Sequence, residues 1–139
     1  MIAKLEEVAK QERIFGNKAR NLGVLLNQGI LVPNGIAVSY EPYLDYLKSG
    51  SFKDDFERRL CQKLGGHSDQ FAVRSSANVE DSGQRSYAGQ FKTILDVSKD
   101  KIIEAIKQVY DSAINFNSSY SKNPIQMGIV IQEMINAEI

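Results

Sequence analysis

A single cysteine, Cys61, rules out a disulfide within the chain, so nothing in the sequence asks for an oxidising compartment. A single histidine, His67, cannot build a metal site without a second histidine or a usable cysteine beside it. Net charge is missing as well: 17 basic and 17 acidic residues cancel, and no global field draws the chain to nucleic acid or to an anionic membrane. No apolar run approaches the length that spans a bilayer. The first ten residues mix Lys4, Glu6, Glu7 and Lys10 with apolar ones, so they lack the apolar core of a secretory signal. Cytoplasm is the expected location, with neither nucleic acid nor membrane among the expected partners. Internal repeats and low-complexity tracts are absent too.

What remains is an ordinary globular composition. The chain has 139 residues, 42% hydrophobic and 24% charged, enough for one domain or one lobe of a larger one. Its organising stretch runs from Phe71 to Val97. Phe71-Ala72-Val73 reads as a short buried strand, and Arg74 stands where that strand ends, followed by the hydroxyls of Ser75 and Ser76. A long polar connection leads to Gly89, and loops of that length without apolar periodicity are usually functional or disordered. In the closing strand Phe91, Thr93, Leu95 and Val97 point one way, and Lys92, Ile94 and Asp96 the other. Arg74 suits a polyanion, because a guanidinium grips phosphate oxygens two at a time while hydroxyls and backbone N–H groups add donors. The plainer alternative pairs Arg74 with Glu80 or Asp81 on an ordinary surface.

Met1 to Glu12 fits either a short strand or an amphipathic helical turn. Asn17 then caps a helix whose apolar stripe is Ala19, Leu22, Leu25 and Leu26, with Gly29 just past its end. Lys18 stands in the first turn, where the helix dipole disfavours a cation. Either a phosphate sits over that terminus, bonded by lysine and backbone N–H groups alike, or Lys18 is a solvated surface residue. Pro33-Asn34-Gly35 is a turn before a strand over Ile36 to Val38. Ser39 is placed to cap a helix over Tyr40 to Lys48 that admits Pro42 in its first turn and is broken by Ser49-Gly50. Ser51 is placed to cap the next, with Phe52, Phe56, Leu60 and Leu64 every four residues and Gly65-Gly66 at its end. Cys61 reads as a small core residue rather than a nucleophile, and His67 as a loop histidine. Ser98 caps a helix carrying Ile102, Ile103, Ile106, Val109, Tyr110 and Ala113 on one face. Asn115 to Asn123 reads as a polar loop, and Gln126 to Ile135 as a buried strand that turns polar at its end.

Ala72-Val73-Arg74-Ser75-Ser76-Ala77, then Glu80-Asp81, then Ser86-Tyr87-Ala88-Gly89-Gln90-Phe91, resembles the N-terminal nucleotide-binding domain of phosphoenolpyruvate synthase and pyruvate phosphate dikinase. Gly16-Asn17-Lys18-Ala19-Arg20-Asn21-Leu22-Gly23 is similar to that family's Gly-Gly-Lys-Asn-x-x-Leu-Gly segment. It departs at Asn17 and Ala19 and keeps the lysine. Gly29 to Val38 is similar to Gly-Ile-x-Val-Pro-x-Gly-Phe, and the last strand to Val-x-Val-Gln-x-Met-Val.

The resemblance implies an α+β (mixed α/β) fold: the N-terminal subdomain of an ATP-grasp domain, a small and mostly antiparallel sheet packed with about four helices. Residues 1–139 would form one domain, the first lobe. The second lobe, the phosphohistidine domain and the phosphoenolpyruvate/pyruvate domain would lie outside it. Lys18, Arg74, Ser75 and Ser76 are the implied phosphate-binding residues; Gln132, Glu133, Met134 and Ile135 are the implied adenine-binding ones. ATP is the implied ligand, with Mg²⁺ ligands expected in the second lobe, whether of the same polypeptide or a partner. The family's intact enzymes use ATP to phosphorylate a histidine and pass the group to pyruvate; no catalytic residue is expected in this chain, which should bind nucleotide weakly and not turn over. A sister enzyme acting on an antibiotic or a glucan, or a non-catalytic nucleotide- or partner-binding module, would share the same lobe.

Overall fold

The computed structural model of the chain describes residues 1–8, 13–65, 69–77, 92–120 and 126–134. The N-terminal stretch resolves into both of its alternatives: strand β1 (Ile2–Lys4) runs directly into a single helical turn, α1 (Leu5–Val8). A 3₁₀ turn (Arg13–Phe15) precedes α2 (Asn17–Asn27), and β2 (Gly35–Val38), α3 (Glu41–Ser49) and α4 (Phe56–Leu64) follow. Then come β3 (Gln70–Ala77), β4 (Thr93–Ser98), α5 (Ile102–Tyr120) and β5 (Met127–Glu133). The architecture is mixed α+β. Among the described residues all four strand pairings are antiparallel, in the order β1-β2-β5-β3-β4. The last strand in sequence is thus the central one, and its residues from Met127 to Gln132 are all buried.

Alternation along the strands divides the interior in two. Ile36, Val38, Phe71, Val73, Met127, Ile129 and Ile131 face the main core, shared with Tyr43, Leu60, Ile106 and Tyr110. Ala3, Ala37 and Val130 face the other way, onto Leu5, Val8, Phe15 and Ala19 of the N-terminal segment and α2. Burying a side chain such as Ile129 or Ile131 contributes about 1.5–3 kcal/mol, so a strand buried on both faces anchors both layers.

Several element ends differ from the sequence reading, each for a local reason. Tyr40 rather than Ser39 is the residue before α3; Ser39 instead accepts a hydrogen bond from the N-terminal amine, 2.9 Å away. Phe52 precedes α4, which begins at Phe56, and the Phe52 ring packs on Phe56 at 4.8 Å. The polar stretch from Asn115 does not end α5, which continues to Tyr120. In β4, Phe71 opposes Val97 but Val73 opposes Ile94, so two residues, Leu95 and Asp96, face Ala72 across a bulge. Asp96 takes a positive φ of 57°, which aspartate tolerates better than most residues. The bulge resets the alternation: Ile94 packs toward the core with Val97, while Thr93 and Leu95 are exposed. Gly29 performs as its chemistry suggests, with a φ of 80°; its N–H bonds the Leu26 carbonyl and the Ile30 N–H the Leu25 carbonyl, both at 3.1 Å.

An aromatic cluster joins α3 to α5. Tyr43 and Tyr110 lie 5.1 Å apart between ring centroids, with Tyr46 at 5.6 Å from Tyr110. The Tyr43 and Tyr110 rings are fully buried, and neither hydroxyl has a partner among the described residues. Burial pushes the Tyr110 phenol well above its ordinary value, so it stays neutral in the fold. A raised folded pKa stabilises fully below the unfolded value of about 10 and the contribution is lost as pH climbs beyond it. We expect urea denaturation between pH 7 and 11 to show stability falling above about pH 10, and Tyr110→Phe to flatten that fall. At neutral pH the same change should be neutral or stabilising by up to about 1 kcal/mol, since it removes an unpaired buried hydroxyl.

Candidate functional site

The N-terminus of α2 is assembled by long-range contacts. The residue before the helix is Gly16, which has no side chain to cap it and adopts φ 86°, ψ 168°, a conformation essentially reserved for glycine. Asn17 is therefore the first helical residue, not the cap. The missing cap comes from 57 residues away: Ala19 N–H donates to Ser76 Oγ at 2.9 Å, in a buried setting. The approach is so close that a Cβ on Gly16 would lie 1.7 Å from the Ser76 carbonyl oxygen. Gly128 does the same service in β5, where a Cβ would stand 2.4 Å from the Phe15 carbonyl oxygen. Ile14 is tied in by its carbonyl, which accepts the Tyr40 N–H at 2.9 Å. Residues 14–16 are thereby laid flat across the sheet, and the first turn of α2, with Lys18, opens at the end of β3.

Arg74 does not sit at a strand end. It lies in the middle of β3, opposite Val130 on one side and Thr93 on the other, and half-buried. Alternation puts Arg74 and Ser76 on the same face, the one that receives α2, two residues apart and so about 7 Å along the strand. Ser75 leaves the opposite face; it is buried and opposes Ile129. The two hydroxyls read together in the sequence therefore divide, and only Ser76 shares the side of Arg74 and α2.

The guanidinium is held by β5. Arg74 Nη1 donates to Gln132 Oε1 at 3.2 Å, and Gln132 Nε2 donates to the Pro33 carbonyl at 3.3 Å. Arg74 Nε is buried and has no partner among the described residues. At the end of β5, Glu133 lines a cleft of about 330 Å³ together with Lys4, Asn34, Lys63 and Phe71, on the side away from Gln132. The backbone N–H groups there are engaged: Glu133 N–H bonds Asn34 O at 2.9 Å and Met134 N–H bonds Gln70 O at 3.0 Å. The Met134 sulfur accepts the Asp96 N–H of the β4 bulge at 3.0 Å. Ile135, the fourth residue of the expected adenine edge, lies outside the described residues, as do His67, Glu80 and Asp81. Among the described residues no group of three or more His, Cys, Asp or Glu side chains is placed to hold a metal ion, and no helix is long and apolar enough to cross a membrane.

Sequence reasoning missed two contributors, Ser76 as the remote cap and Gln132 as the partner of Arg74. Both are buried polar residues in apolar strands, and Gly128, an isolated glycine within such a strand, was the available signal of a close backbone approach.

The fold is a mixed α+β domain in which a helix opens beside a strand arginine. The chain belongs to the family described as pyruvate phosphate dikinase, AMP/ATP-binding domain, whose model matches residues 54–139. The match includes Arg74 and β5; Lys18 lies before it. Over nearly its whole length, 99%, the chain is 24% identical to a probable phosphoenolpyruvate synthase of Methanothermobacter thermautotrophicus, spanning 28% of that protein. It is 28% identical over 96% of its length to an uncharacterized phosphotransferase, YvkC, of Bacillus subtilis, spanning 19% of it. With the phosphoenolpyruvate synthase of Pyrococcus furiosus it shares 32% identity over 58% of the chain and 11% of that protein. The chain thus spans roughly a quarter or less of the curated relatives it matches, and as an ATP-binding domain of phosphoenolpyruvate synthase-like proteins it corresponds to one part of them.

Proposed function

We propose that this domain is the first lobe of an ATP-grasp site in a phosphoenolpyruvate synthase-like dikinase, with Lys18, Arg74 and the first turn of α2 on the phosphates of ATP. The observation that carries the reading is the Ala19 N–H to Ser76 Oγ bond, which docks the helix terminus onto the strand face of Arg74. Two cations and a helix N-terminus on one face neutralise a polyphosphate, and neutralisation with positioning is most of what phosphoryl transfer asks of a protein. Ser76 takes part by fixing the helix; Ser75, on the other face, does not reach the phosphates. The adenine edge is assigned to the end of β5, at Glu133, Met134 and Ile135. The N–H groups of Glu133 and Met134 are already bonded, to Asn34 and Gln70.

Among the described residues no group is placed to hold the Mg²⁺ that such chemistry implies; its ligands are assigned to a second lobe, and no step through it is drawn from this chain. The histidine and pyruvate of the intact reaction are assigned to further domains, with the cytoplasm as the location. On this reading the 139-residue chain binds ATP weakly and does not turn it over.

Isothermal titration of the chain with ATP and with adenosine tests the reading. ATP should bind at least about tenfold more tightly, a difference of about 1.4 kcal/mol, and lose that advantage as salt is added. Equal affinity for the two, or no binding of either at millimolar concentration, would show that the phosphates are not recognised.

A further inference from the structure

Gln132 is a polar residue in the most buried strand of the sheet, only 4% exposed, and such a group is retained when both ends of its amide are bonded. Both are. Oε1 can only accept and Nε2 only donate, so the guanidinium on one side and the Pro33 carbonyl on the other leave a single orientation of the amide. The stem of the side chain is confined too: a Cβ on Gly35, the residue opposite in β2, would stand 3.0 Å from Gln132 Cγ. Arg74 is thus met by an acceptor that β2 and the residues just before it hold in place. Gln132 occupies Nη1. The Nε–Nη2 edge, whose two parallel donors match two oxygens of one phosphate, keeps a buried Nε without a partner among the described residues.

We infer that Gln132 is a positioning residue: it turns the Arg74 guanidinium so that its Nε–Nη2 edge is presented to the polyphosphate, and its side chain does not contact adenine. This inference rests on the assignment of Arg74 to the phosphates, and it replaces the role that the resemblance implies for the Gln132 side chain. A neutral amide suits the task better than a carboxylate, since it orients the guanidinium without cancelling the charge that the phosphate needs.

The test is a double-mutant cycle of Gln132→Leu with Arg74→Ala, titrated with inorganic tripolyphosphate and separately with adenosine, and with thermal unfolding measured on each variant. Gln132→Leu should lower tripolyphosphate affinity about fivefold to twentyfold, leave adenosine affinity within twofold, and have no further effect once Arg74 is alanine. Gln132→Glu keeps size and acceptor, serves if the leucine variant does not fold, and should lose tripolyphosphate binding as well because its carboxylate competes for the guanidinium. A Gln132 effect that persists in full in the Arg74→Ala background, or one that falls on adenosine, overturns the inference. If Arg74→Ala itself leaves tripolyphosphate binding unchanged, or the unsubstituted chain does not bind it, the phosphate assignment fails first and the inference with it.

Discussion

Gly16→Ala should cost the domain about 3–5 kcal/mol of unfolding free energy, a large share of the roughly 5–15 kcal/mol that holds a domain of this size together. Two independent penalties add. The backbone conformation at Gly16 is one that a side chain rarely adopts, costing about 1–3 kcal/mol, and the new methyl would overlap the Ser76 carbonyl, where overpacking costs a similar amount. The obstacle is a backbone atom of β3, paired into the sheet, so it cannot swing aside as a side chain would. Relief requires lifting the 14–16 segment off the sheet, which breaks the Ala19–Ser76 bond and displaces Lys18. Gly29→Ala is the control: its φ is also positive, but nothing lies within 4 Å of the added Cβ, so only the left-handed penalty of about 1–2 kcal/mol applies. Urea denaturation of the two variants separates the cases. Equal losses would mean that the close approach at Ser76 is not a rigid feature.

Arg74→Ala should lower ATP affinity about tenfold to a hundredfold, the equivalent of about 1.5–3 kcal/mol for hydrogen bonds to a charged group, and leave adenosine affinity nearly unchanged. Arg74→Lys should recover little of it, because an ammonium neither offers two parallel donors nor fits the angle set by Gln132. Alanine also leaves Gln132 Oε1 buried without its donor, at a cost of about 1–3 kcal/mol in stability, so affinity is to be measured well below the unfolding transition. An ATP affinity unchanged in both variants would return Arg74 to a structural role.

The elements of this fold were legible where a local pattern decides them. The Gly29 helix stop and the apolar run of β5 depend on residues close in sequence, and each stands where its chemistry puts it; Pro33 and Asn34, read as part of a turn, form none, and Gly35 already opens β2. The candidate site could be read only as a set of residues, without their arrangement. That Ser75 and Ser76 part company follows from strand alternation, but only once β3 is known to continue past Arg74 to Ala77, which a run of small polar residues does not announce. Capping of α2 by Ser76 and orientation of Arg74 by Gln132 join residues 57 and 58 positions apart, and no local rule reaches that far. The β4 bulge likewise answers to a partner, the Met134 sulfur at the end of the central strand.

The central claim is that Lys18 and Arg74 hold the same polyphosphate. A crystal structure of the chain with a non-hydrolysable ATP analogue tests it most directly. The phosphates are expected between the Lys18 ammonium and the Nε–Nη2 edge of Arg74, each within hydrogen-bonding distance, at the N-terminus of α2. Phosphates bound on the opposite face of the sheet, or in contact with only one of the two cations, would contradict it.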